Sequence, residues 1–151
     1  MRALFAAALI LFDLLAGAGS ASAGLGPVIA TYGNWDIRRD QDMMTDRVTC
    51  VATYKNNANV QLGGSGLHVK VSKNPLGYLY RIDDEPVRAR HTFRGDLMRR
   101  VGLITFAGSV FGRLLNANRL RLQVVGRRRT QEFDLKLDGI NNAYSAVYYC
   151  R

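Results

Sequence analysis

A chain of 151 residues that is 48% hydrophobic and 22% charged has the composition of an ordinary globular protein, which excludes wholesale disorder. Its 21 lysines and arginines outnumber its 12 acidic residues, and the formal charge of +9 favours polyanionic partners without selecting a fold. Two cysteines and two histidines, widely spaced, lack the close pairing of a zinc module.

At the N-terminus, Arg2 precedes a mostly apolar run from Ala3 to Ala16 that Asp13 interrupts. The run is shorter than the roughly 20 residues that cross a bilayer and fits the core of a signal peptide. Ala21-Ser22-Ala23 supplies small residues for cleavage, which predicts a leader over 1–23 and a single exported β-rich domain over 24–151. Asp13 weakens the apolar core and leaves an uncleaved anchor as the second reading. The mature chain has no transmembrane stretch, and no cysteine near the cleavage point marks a lipoprotein. The leader carries one arginine and one aspartate, so the charge of +9 stays with the mature chain. The expected location is periplasmic or secreted. Polyanions there are lipopolysaccharide, lipid headgroups, acidic wall polymers and acidic proteins, and no nucleic acid is expected as partner.

In chain order, strands are predicted at Val28 to Arg38 and at Arg47 to Lys55. Lys55 to Gly66 carries three asparagines and three glycines and reads as a polar turn region around a short strand at Val60. Leu67, Val69 and Val71 alternate with His68, Lys70 and Ser72, the period of a half-buried strand. A strand at Tyr78 to Ile82 follows. Val110, Phe111, Leu114 and Leu115 then share one helical face, with Ser109 where an N-cap belongs. Leu120, Leu122 and Val124 alternate with Arg119, Arg121 and Gln123. Phe133, Leu135 and Leu137 alternate with Glu132, Asp134 and Lys136. Gly126 to Thr130 is the hairpin connection between those last two strands. Finally Asp138 is placed to cap a helix whose Ile140, Ala143, Tyr144, Val147 and Cys150 face the core. The fold class is therefore mainly β: β-sandwich-like antiparallel sheets with a short internal helix and a C-terminal helix.

In an oxidising compartment Cys50 and Cys150 are expected to pair. The bond would close a loop of about 100 residues, with up to about 4.7 kcal/mol on the chain-entropy model, and would staple the terminal helix to a sheet. Two free thiols acting as small hydrophobes are the other reading.

The order of several weak motifs resembles small exported bacterial domains of the invasion-associated locus B family. These are Tyr32-Gly33-Asn34-Trp35, the strand with Cys50, Tyr80-Arg81-Ile82-Asp83-Asp84, and Phe133-Asp134-Leu135-Lys136-Leu137-Asp138-Gly139 leading to Cys150. Asp42-Met43-Met44-Thr45-Asp46 is also similar to a segment of periplasmic proteins associated with type VI secretion. The resemblance spans most of 24–151. It implies a compact β-sandwich-like domain in the periplasm or on the cell surface, associated in named members with host-cell invasion, and it supplies no catalytic residues. The sequence departs from the pattern at Arg38-Arg39-Asp40, where the family usually has a cysteine soon after the tryptophan strand. The Cys50–Cys150 pairing is therefore not carried over from the family.

No enzyme motif stands out, and neither a catalytic residue nor a cofactor or metal site is predicted. Gly63-Gly64-Ser65-Gly66 lacks the spacing of a nucleophile elbow and reads as a flexible turn. His68 alternates outward and His91 sits among arginines, so both are expected in solvent. Asp40, Asp42 and Asp46 lack the glycine and terminal acid of a calcium loop and read as a solvated turn. Asp83-Asp84-Glu85 reads as a strand end, with Asp83 pairing nearby arginines. The basic residues fall in three groups: Arg88, Arg90 and Arg94; Arg99 and Arg100; and Arg119, Arg121, Arg127, Arg128 and Arg129. The third set, along one edge of the last hairpin, is the candidate anion-docking face, since arginine makes forked contacts to phosphate and carboxylate. A solvated basic surface that protects an edge strand is the bland alternative. The function expected is a non-enzymatic binding or structural module docking on an envelope component or protein. The alternatives are an accessory protein of a secretion apparatus and a hydrolase, the latter requiring His68 or His91 to meet a carboxylate in a pocket.

Overall fold

The computed structural model describes residues 26–90 and 95–150. The leader with its cleavage point, His91 and Arg94 lie outside them. Among the described residues ten strands form two antiparallel sheets. The larger has six strands, β1 (Val28–Tyr32), β2 (Trp35–Gln41), β3 (Val48–Tyr54), β4 (Asn57–Gly63), β5 (Gly66–Lys70) and β8 (Leu103–Phe106), in that spatial order. The smaller has the order β10 (Thr130–Lys136), β9 (Arg119–Val125), β6 (Gly77–Ile82), β7 (Arg88–Arg90). Helices α1 (Gly95–Val101) and α2 (Gly108–Leu114) flank β8, and α3 (Ile140–Tyr148) ends the fold. No helix among the described residues is long and apolar enough to cross a membrane.

Alternation builds the core. Trp35, Ile37, Ala52, Val60, Leu62, Leu67, Val69, Ile104 and Phe106 are buried on the large sheet, and Tyr80, Ile82, Leu120, Leu122, Val124 and Leu135 on the small one. With Ile140, Ala143 and Val147 of α3 they form one buried cluster. Cross-strand register explains this, because Ala52, Leu62, Leu67 and Phe106 are successive partners across β3, β4, β5 and β8 and share one face. Trp35 meets Tyr54 edge-on with ring centroids 5.3 Å apart.

Several expectations are corrected. Val28 to Arg38 is not one strand but the hairpin β1–β2, folded at Gly33-Asn34; Gly33 takes a left-handed φ of 54° there. Asparagine-rich 55–66 is mostly strand, since β4 pairs with both neighbours and leaves only short turns. Ser109 lies inside α2, where Ala107 takes the N-cap position with no side-chain hydrogen bond. Asp138 likewise does not cap α3; Gly139, at φ 78°, holds that place. A Cβ on Gly139 would stand 2.4 Å from the Tyr32 carbonyl oxygen, so the helix start and the β1–β2 turn interlock backbone to backbone. The Asn34 N–H donates to the Asp138 carbonyl at 3.1 Å across the same contact.

Cys150 lies beyond the end of α3 rather than on its inner face. Its sulfur is at disulfide distance from that of Cys50 on β3, with the Cα atoms 5.9 Å apart, inside the span of a bridge. The helix is thus held at its start by the Gly139 contact and at its end by the cysteine pair.

Candidate functional site

The sequence-predicted arginines divide between the two ends of β9, roughly 20 Å apart at about 3.3 Å per residue. Arg119 opens the strand and is engaged: its guanidinium forks onto the Asp134 carboxylate on β10, with Nε donating at 2.6 Å. That hydrogen bond holds the Asp134 carboxyl below the usual range and raises the Arg119 guanidinium. Arg121 is half-buried, donates to the Asp83 carbonyl at 2.9 Å and lies 3.7 Å from Asp84. Both side chains are therefore committed within the small sheet.

Asp83 departs from its expected role. Its carboxylate accepts backbone N–H groups of Asn118 and Arg119 at 3.0 and 2.8 Å instead of pairing an arginine side chain. It fixes the entry to β9 and sits at a left-handed φ of 45°, a conformation that aspartate tolerates better than most residues.

At the other end, Arg127, Arg128 and Arg129 are exposed in the β9–β10 turn and line a cleft of about 600 Å³ with Lys73 and Arg99. Three distant segments meet here. The Ser72 N–H donates to Gln131 Oε1 at 2.7 Å, tying the segment after β5 to β10. The Asn74 N–H donates to the Arg99 carbonyl at 3.0 Å, tying the same segment to α1. Gly102 ends α1 at φ 69°, where a Cβ would stand 2.4 Å from the Val71 carbonyl oxygen. No carboxylate is among the described residues lining the cleft. Lys73 was not foreseen as a member, and Arg99 was assigned to a separate basic group.

The histidine readings also change. His68 is half-buried rather than solvated, with Nε2 3.0 Å from Ser65 Oγ and Nδ1 3.1 Å from Thr105 Oγ1. Burial lowers its pKa below 6.5, favouring the neutral ring. The hydrolase reading calls for a carboxylate beside this histidine, and Thr105 occupies that place. Asp42 accepts N–H bonds from Met44 and Thr45 at 2.8 and 3.0 Å, which lower its pKa and close an ordinary turn. No three metal-binding side chains gather among the described residues.

No family model and no curated protein matches this sequence. Among solved structures, the fold is similar to the crystal structure of invasion associated protein B from Bartonella henselae, with a TM-score of 0.51 and 18% identity. That similarity covers 78% of this chain and 92% of the other. At this identity the likeness is one of fold alone.

Proposed function

We propose that the chain is a non-enzymatic module of the bacterial envelope that docks on a phosphate-bearing lipid surface through Lys73, Arg99, Arg127, Arg128 and Arg129. One observation carries the reading: three chain segments bring five cations to one cleft whose described lining has no acid. Arginine recognises phosphate by forked, charge-assisted hydrogen bonds, and a cluster of protruding cations near an anionic leaflet attracts it additively. The edge-protection role explains arginines in the turn beside the edge strand β10 but not the addition of Lys73 and Arg99 from other segments. Export is supported by the leader-like residues 1–23 and by cysteines placed at disulfide distance. The similarity in fold to an invasion-associated protein suits the same setting.

The test is co-sedimentation of the purified protein with phosphatidylglycerol vesicles against phosphatidylcholine vesicles. Binding to the anionic vesicles alone, weakening as salt rises, is the expected result. Equal binding to both, or to neither at low salt, would overturn the reading.

A further inference from the structure

A second site stands apart from the cationic cleft, at the edge of the large sheet formed by β8. A cavity of about 460 Å³ opens there, within the size range of small-molecule pockets. Tyr78, Tyr80 and Phe106 supply aromatic wall, with Phe106 edge-on to both tyrosines at 6.1 and 5.3 Å. Ser65, His68 and Thr105 supply polar wall, already linked to one another by hydrogen bonds.

Tyr80 is the informative residue. It is only 3% exposed, and its hydroxyl oxygen is buried with no hydrogen-bond partner among the described residues. Burial of an unpaired hydroxyl is unfavourable, and native structures keep such groups mainly where something else satisfies them. Arg90 on β7 pairs with Tyr78 across the strands and lines the same cavity, while no carboxylate is among the described lining residues. A ligand here needs an aromatic body for the ring wall, an acceptor for the Tyr80 hydroxyl and a negative charge for the guanidinium.

We propose that this cavity binds a small aromatic carboxylate, its ring against Tyr78 and Phe106 and its carboxylate between the Tyr80 hydroxyl and Arg90. The site goes beyond lipid docking and does not depend on it. Phenylacetate is the probe, with phenylacetamide as its neutral counterpart. Amide resonances of Ser65, His68 and Thr105 are followed by NMR, and affinity by calorimetry. The expected result is saturable binding of phenylacetate, weaker binding of the amide, and at least about a tenfold loss in Y80F, which keeps the ring and removes only the unpaired hydroxyl. Y80F without ligand should melt no lower than the wild type. Replacing Arg127, Arg128 and Arg129 by glutamine should leave phenylacetate binding unchanged, separating this site from the cleft. No shift of those resonances at millimolar phenylacetate would overturn the proposal, as would equal affinity of Y80F and wild type.

Discussion

Replacing both cysteines in C50A/C150A tests how the C-terminal helix is held. The pair joins residues 100 apart in sequence, so its main effect falls on the unfolded chain. The chain-entropy model puts the loss at about 4.7 kcal/mol for such a loop, and measured bridges commonly deliver about 2–4 kcal/mol. The lower range is expected here because α3 keeps its other anchors. Ile140, Ala143 and Val147 stay buried, and Asp138 still accepts the Asn34 N–H. A loss near 3 kcal/mol corresponds to a melting temperature lower by about 10 °C in a chain of this size. Thermal and urea melts of the oxidised wild type and C50A/C150A give both quantities. The variant should also show a steeper urea dependence, since its unfolded state is released from the cross-link and exposes more surface. Superimposable melts with equal slopes would refute the reasoning.

Three further outcomes follow from single contacts. Gly139→Ala places a Cβ against the Tyr32 carbonyl at a left-handed φ, and should cost about 2–3 kcal/mol in urea unfolding. Asp83→Ala removes two acceptor contacts to the start of β9 while keeping a positive φ, so about 2 kcal/mol should be lost, and Asp83→Asn should lose less; equal stability of all three proteins would contradict this role. For His68, burial lowers the folded pKa below 6.5, so its contribution is intact above pH 6.5. As pH falls, the unfolded chain takes up the proton first and stability drops through the lowered folded value. Melting temperatures from pH 7 down to about pH 5 should therefore fall more for wild type than for His68→Gln.

How legible this was from sequence depended on where each signal came from. Strands β5, β9 and β10 and helix α3 bury one face of their own, so their periods stand in the sequence. Strand β7 has no such signal: Arg88, Ala89 and Arg90 are all exposed, and only pairing with β6 makes them a strand. The four residues of β8 are too few to show a period. That omission explains the misreading of His68, which alternates outward on β5 but gains Thr105 as cross-strand neighbour once β8 pairs there. The hairpin at Gly33-Asn34 was hidden because apolar residues continue on both sides of the turn. In the candidate docking site, the run Arg127 to Arg129 was visible, but Lys73 and Arg99 join it through tertiary hydrogen bonds that no spacing in the sequence encodes. The engagement of Arg119 with Asp134 was a matter of register, since Arg119 pairs with Lys136 and Asp134 with Arg121, leaving the ion pair diagonal.

The most direct test of the docking account compares one triple and one double arginine variant on anionic vesicles. R127Q/R128Q/R129Q removes the turn arginines from the cleft, whereas R119Q/R121Q removes two cations already committed to Asp134, Asp83 and Asp84. The account predicts a loss of about tenfold or more in phosphatidylglycerol-vesicle affinity for the first variant, a shallower salt dependence, and little change for the second. Equal losses in both variants would mean that overall charge, not the cleft, governs binding. Undiminished binding of R127Q/R128Q/R129Q would contradict the account outright.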